Sequence, residues 1–238
     1  MRTKYLDAVI VAGREARSVA LATDIKTGAQ LLLDRERFDG DLALDEAQRA
    51  AMRDALRTDR NVTLDTEAGR VFVQVFSPAM RCFVVGAVHI AQPLTQMLAL
   101  TGYRAVVIDP RGSFATEARF PGVELTTEWP DEALERLKPD HRSAVVTLTH
   151  DPKLDDPALA VALRSDCFYV GALGSKRTHA RRLERLAQLG FGDADFARIR
   201  GPIGLPIGAV SQAEIAISIL AEMTQILRKG DARLAEAA

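Results

Sequence analysis

Thr149, His150 and Asp151 follow the apolar run 144–148, and His89 follows the apolar run 83–85 by way of Gly86. Imidazole titrates near neutral pH, so two histidines and a carboxylate around one crevice could move protons or hold a polar ligand. His89 opens a helical stretch. The positive end of a helix dipole favours a neutral imidazole there, able to bond a ligand oxygen or a strand-end carbonyl. Asp109 closes the run 105–108 and follows Gly86 at about the spacing at which an acidic residue binds a ribose hydroxyl.

The stretch Gly86 to Ala91 has the outline of a dinucleotide loop. Gly86 holds the first glycine position and Ala91 the third, where close helix–strand packing accepts alanine. Val88 replaces the second glycine. A β-branched side chain there crowds a pyrophosphate and resists positive φ. The reading is a nucleotide-binding type of fold in which Val88 argues against NAD(P). A second anion site is expected at Gly174, Ser175 and Thr178, with Ser175 capping the helix 176–189. Free amides and hydroxyls at that helix mouth suit a phosphate or carboxylate. Lys176, Arg177, Arg181 and Arg185 add positive charge, and Thr178 shares a face with Ser175 and Arg182. Asp156 and Pro157 read as an N-cap and a first helical residue.

These residues need a scaffold, and the pattern supplies one. β-Branched runs at 83–85, 105–108, 123–126, 144–148 and 167–170 alternate with helical stretches at 90–100, 131–137, 158–164 and 176–189. Such alternation predicts parallel strands buried on both faces. In the order 3-2-1-4-5, strands one and four are neighbours and their C-terminal ends frame a crevice. That order brings Gly86 and His89 up to Thr149, His150 and Asp151. The segment 200–209 holds three glycines and two prolines. It reads as a shaped loop, packed down by Ile203, Leu205 and Ile207. Ser211 and Glu214 form a capping box for a last helix, closed at Gly230.

The first third has a different grammar. Runs 19–23 and 29–33 read as strands around Gly28, and 44–56 as a helix preceded by Asp41. Runs 61–64 and 70–76 read as a hairpin turning at Glu67-Ala-Gly69. The strand 70–76 is apolar on both sides, which predicts cover on both faces. Ser77-Pro78-Ala79 breaks the pattern. The fold class is therefore α/β: a small N-terminal α+β domain over 1–78, a Rossmann-like parallel sheet flanked by helices over 80–230, and a frayed tail over 231–238.

Composition narrows the partners. With 31 basic and 32 acidic residues the net charge is -1, which favours neither nucleic acid nor an anionic membrane surface. Cys82 and Cys167 lie inside apolar runs, with no CxxC pair to suggest structural zinc. The N-terminus lacks a signal-peptide core, and no uncharged run approaches the ~20 residues of a membrane helix. A cytoplasmic protein is expected.

Five segments occur in order: VVGAVHIAQPL, VVIDPR with FATEARFPG, VVTLTHDPKLDDPAL, FYVGALGSKRTHARRLERL and GPIGLPIGAVSQAEIAISILAEM. Together they closely resemble the C-terminal domain of the xanthine dehydrogenase accessory protein family, XdhC/CoxI, over about residues 80–230. VALATDIKTGAQLLL and GRVFVQVFSP resemble a shortened form of that family's first domain, without its cysteine-bearing segments. The resemblance implies a maturation factor that binds and protects molybdenum cofactor and helps deliver its sulfurated form. The implied client is a molybdenum hydroxylase of the xanthine dehydrogenase or carbon monoxide dehydrogenase type. A cysteine desulfurase, a fuller paralogue and a second copy of the chain are further candidate partners. The family's loop falls on Gly86, Val88 and His89, its strand-end acid on Asp109, and its Thr-His-Asp on Thr149, His150 and Asp151. Its Gly-Ser-x-x-Thr falls on Gly174, Ser175 and Thr178. The leading reading is thus a cofactor-binding protein rather than an enzyme. An NAD(P)-dependent oxidoreductase and a scaffold without a ligand are the alternatives.

Overall fold

The computed structural model describes residues 1–66 and 69–230, and the chain divides into two compact units, Met1–Pro78 and Ala79–Ala238. The expected frayed tail lies outside the described residues, as do Glu67 and Ala68 of the expected hairpin turn.

The N-terminal unit runs α1 (Thr3–Arg14), β1 (Val19–Asp24), β2 (Gln30–Asp34), β3 (Arg37–Gly40), α2 (Glu46–Thr58), β4 (Val62–Thr66) and β5 (Gly69–Phe76). Its strands form an antiparallel sheet in the order β3-β2-β1-β5-β4. Gly28, at φ 75°, makes the β1–β2 turn without the penalty a Cβ would bring. Met52 and Ala55 of α2 pack on Ala20, Ala22, Val71 and Val73, while Tyr5 and Ala12 of α1 pack on Val19, Leu21 and Leu32.

One helix is added here and two expectations change. The helix α1 has no clear signal in the sequence, because Arg2 offers no side-chain cap and the stretch contains β-branched residues. Burial of Tyr5 and Ala12 stabilises it instead. The cap of α2 is Asp45, which exchanges hydrogen bonds with Gln48, and not Asp41. Asp41 accepts from the Gln30 amide and pairs with Arg2. Finally, β5 is not covered along both faces. Val71 and Val73 are buried, but Phe72 remains 37% exposed where α1 does not reach it.

The second unit runs β6 (Met80–Val85), α3 (Ala91–Leu100), β7 (Tyr103–Ile108), β8 (Glu124–Thr126), α4 (Pro130–Leu137), β9 (Ser143–Thr147), α5 (Pro152–Arg164), β10 (Tyr169–Ala172), α6 (Lys176–Gln188), α7 (Asp193–Arg198), β11 (Ile199–Arg200) and α8 (Gln212–Lys229). The sheet order is β11-β10-β9-β6-β7-β8, and every described pairing in it is parallel. This is the order expected from the sequence, with β11 added as a sixth, two-residue strand. Alternation then divides the apolar side chains between two cores. Cys82, Val84, Val107 and Val146 face α3 and α8, and Phe83, Val85, Ile108 and Val145 face α4, α5 and α6.

Two boundaries move. The helix α5 starts at Pro152 and its cap is Asp151, which accepts from the Lys153 amide; Asp156 and Pro157 sit inside the helix. β10 starts two residues later than the expected run 167–170 and ends at Ala172. In the loop after β11, Ile203 packs down, while Leu205 is half-buried and Ile207 is exposed. The buried Glu222 carboxylate accepts from the Gly204 amide at 2.9 Å and from the Tyr169 hydroxyl at 2.7 Å, which seats the loop on α8 and β10. Beyond Gly204, Leu205 is tied to α8 through its amide and the Ser218 carbonyl. No helix among the described residues is long and apolar enough to cross a membrane.

Candidate functional site

The sheet order reverses around β6, and Val85 lies in register with Ile108 on one side and Thr147 on the other. The three strands therefore end side by side. The Gly86 amide donates to the Ile108 carbonyl at 2.8 Å, and the Leu148 amide donates to the Val85 carbonyl at 2.9 Å. Gly86 has φ 107°, and a Cβ there would lie 2.5 Å from Thr149 Cγ2. Both conformation and space demand glycine, so the residue that suggests a phosphate loop also closes β6 against β9.

Asp109 is 0% exposed and turns inward. Its Oδ2 accepts from the Ala87 amide and Arg111 Nη2, both at 2.8 Å. Its Oδ1 accepts from the Arg111 amide at 3.0 Å and Arg111 Nε at 2.9 Å. Burial would push this carboxyl up. The Arg111 guanidinium and the two amides outweigh burial and hold it below the usual 3.8. With four donors in place, Asp109 anchors the loop and is not presented to a ribose. Arg119 holds the loop from its other side, donating to the Ala87 carbonyl at 2.8 Å and the Phe114 carbonyl at 2.7 Å. Both backbone groups of Ala87 are thus tied. Val88 is half-buried and packs on the α3 side of the core, and His89 is exposed in the turn before α3.

The end of β9 makes a second constellation. Thr149 Oγ1 donates to Asp155 Oδ1 at 2.7 Å and accepts from the Asp151 amide at 3.0 Å. His150 has φ 63°, a left-handed conformation uncommon for a non-glycine residue. Its amide donates to Asp155 Oδ2 at 3.1 Å, which holds the turn and leaves the imidazole exposed. Asp155 is buried and lies 3.5 Å from Arg182 Nη2, which also donates to the Leu173 carbonyl at 2.8 Å. Burial pushes the Asp155 carboxyl up against the pull of Thr149 and Arg182. Burial likewise pushes the Arg182 guanidinium down against Asp155 and Asp156.

Arg182 links this constellation to the mouth of α6. Ser175 caps the helix by accepting from the Thr178 amide at 3.2 Å, and its hydroxyl lies 3.0 Å from Thr178 Oγ1. Gly174 has φ 145°, and a Cβ there would meet Thr178 at 3.1 Å and Arg182 Nη2 at 3.8 Å. Gly86, Thr149, Asp155, Arg182, Gly174 and Thr178 are thereby joined in one string of contacts. His150 and Asp151 sit on its exposed edge; His89 lies outside it. A cavity of about 420 Å³ opens beside this string, with His150, Thr178, Arg177, Arg181, Arg182 and Arg185 on its walls. Arg185 is already committed to Asp156, pairing through both Nε and Nη2.

Arg111, Arg119 and Asp155 are parts of this site that were not expected from the sequence. Arg111 follows Asp109 closely, and the Asp-x-Arg spacing could have suggested a self-contained pair. Arg119 reaches Ala87 from 32 positions away, through a loop with no local signature. The two cysteines are buried, and burial pushes the Cys82 thiol up and the Cys167 thiol up to about 11. Neither offers a thiolate at the crevice. Among the described residues no group of three or more His, Cys, Asp or Glu could hold a metal ion.

Known proteins resemble this chain in sequence and fold. The family model of the XdhC Rossmann domain matches residues 82–223. A protein of Bacillus subtilis (strain 168), named as a probable subunit of xanthine dehydrogenase, is 30% identical over 183 residues, covering 76% of this chain and 53% of that protein. The molybdenum cofactor insertion chaperone PaoD of Escherichia coli (strain K12) is 31% identical over 151 residues, covering 63% of this chain and 41% of PaoD. The crystal structure of a xanthine dehydrogenase from Bacillus halodurans shares the fold, with a TM-score of 0.72 at 24% identity over 96% of this chain and 65% of that one. The chain spans about half the length, or less, of these two curated relatives.

Proposed function

The chain belongs to the XdhC family, and from that premise we propose that it carries molybdenum cofactor as cargo and helps pass the sulfurated form to a molybdenum hydroxylase. The client would be of the xanthine dehydrogenase or carbon monoxide dehydrogenase type. The relative named as a molybdenum cofactor insertion chaperone supports the cargo.

The observation that carries the reading is the contrast within one crevice. The loop that would take a dinucleotide is tied from both sides: Asp109 is saturated by Ala87 and Arg111, and the Ala87 carbonyl is held by Arg119. A ribose has no free carboxylate to bind there. The neighbouring cavity is instead lined by arginines and open to an anion. An oxidoreductase would need the closed half of the crevice; a carrier of a phosphorylated pterin needs the open half. The buried cysteines imply that retention relies on the pterin and its phosphate rather than on a metal–thiolate bond from this chain.

Gel filtration with two candidate ligands tests this. Cofactor released from a donor hydroxylase, kept anaerobic, should co-elute with the protein and be read by its pterin fluorescence, while NAD(H) should elute separately. Co-elution of NAD(H), or hydride transfer to any carbonyl compound, contradicts the reading, as does failure to retain the cofactor.

A further inference from the structure

Arg182 is the most deeply placed cation at the crevice, at 1% exposure. Of its three guanidinium nitrogens, Nη2 is used by the Leu173 carbonyl and faces Asp155, while Nε and Nη1 have no hydrogen-bond partner. Buried donors are almost always satisfied, and a buried guanidinium stays protonated. Asp155 does not supply the missing acceptors: it approaches Arg182 at Nη2, at 3.5 Å, while its oxygens accept from the Thr149 hydroxyl and the His150 amide. Arg182 forms part of the cavity wall, together with Arg177 and Arg181 from successive turns of α6. Four arginines line the cavity; Asp155 stands against Arg182 and Asp156 pairs with Arg185, which leaves two positive charges in excess.

We propose that this cavity seats a phosphate monoester dianion, with Arg177 and Arg181 closing over it from the exposed side of α6 and Arg182, whose Nε and Nη1 are sealed from solvent in this structure, turning those unsatisfied donors toward it on binding. A phosphate monoester carries close to two negative charges at neutral pH and three acceptor oxygens, which match the excess charge and the orphaned donors. Thr178 lies on the same wall, and Pro152 and His150 bound the opposite rim. The inference rests on the reading of the protein as a carrier and assigns the cargo's phosphate to the α5–α6 side of the crevice. The Gly86 loop, where a dinucleotide phosphate would sit, is not part of it.

Calorimetric titration of the full chain with inorganic phosphate, and separately with adenosine monophosphate, tests the seat. Arg181→Gln alters an exposed side chain and should leave folding intact, yet weaken phosphate about tenfold through loss of one charge-assisted contact. Arg182→Lys keeps the charge but loses the fork, and should weaken it at least as much. Released cofactor should displace bound phosphate. If adenosine monophosphate displaces it and the cofactor does not, the seat stands but belongs to a mononucleotide, and its assignment to the cargo falls. No saturable phosphate binding by the unaltered chain, or equal binding by a folded Arg181→Gln variant, overturns the seat. Should the chain retain cofactor that neither phosphate nor Arg181→Gln affects, the seat falls and the carrier reading stands. Arginine-dependent phosphate binding without cofactor retention leaves the seat and removes the carrier reading.

Discussion

Asp109 decides what the first half of the crevice can do, because its carboxylate is spent inside the protein. Its folded pKa is depressed, so the sign of its linkage to stability follows. The stabilisation is present above the unfolded value near 3.8 and is lost as pH falls through the lower folded value. Asp109→Asn should therefore lower stability at neutral pH and flatten its decline below about pH 4. The neutral-pH loss should be about 2 kcal/mol, less than for a fully buried pair because Arg111 is 41% exposed. Urea unfolding across pH 3 to 7 measures both, and an unchanged acid slope would contradict the assigned role. The residue types at this site were legible in the sequence: Gly86, Asp109, Thr149 and Ser175 all stand where strands or helices begin or end. Their orientation was not. Whether a strand-end acid faces a ligand or its own loop depends on Arg111 and Arg119, and the pairing of Arg119 with Ala87 has no local sequence signal.

At the scale of elements, the alternation of strands and helices in the parallel unit followed from periodicity, because β-branched runs buried on both faces have few other homes, while the order 3-2-1-4-5 came from the fold class. The start of α5 did not, and the reason is chemical. Asp151-Pro152 and Asp156-Pro157 carry the same cap-and-proline signature, so local propensity cannot choose between them. The choice of the earlier pair buries Leu154, and it places Asp155 beneath Thr149 and His150, where it fixes the turn. Pro157 is then tolerated inside the helix. The loop 201–208 is another case: its glycines and prolines announce a shaped segment, but the residue that shapes it is Glu222, well along the following helix. Glu222→Ala should leave the Tyr169 hydroxyl and the Gly204 amide without their acceptor. It should cost about 3 kcal/mol and expose the Gly204 amide to hydrogen exchange. Unaltered protection at Gly204 would mean that α8 does not hold the loop through this carboxylate.

For the whole molecule, two sheets of opposite character lie in one chain: an antiparallel sheet with one helix on each face, and a parallel sheet with its candidate site at the order reversal. The parallel unit carries the family match, and all the cationic groups of the candidate seat lie in it. The division of labour inside that crevice, one loop tied shut and one arginine-lined cavity open, favours holding a phosphorylated cargo over oxidising a substrate. A carrier must also let go, and release to a client separates a chaperone from a storage protein. The most direct measurement loads the full chain with sulfurated molybdenum cofactor, removes free cofactor, and adds a cofactor-free molybdenum hydroxylase of the xanthine dehydrogenase type. Hydroxylase activity should appear with the loaded protein and exceed that from an equal amount of free cofactor. Activity no greater than that from free cofactor, or cofactor left on this chain while the hydroxylase stays inactive, would contradict a role in delivery.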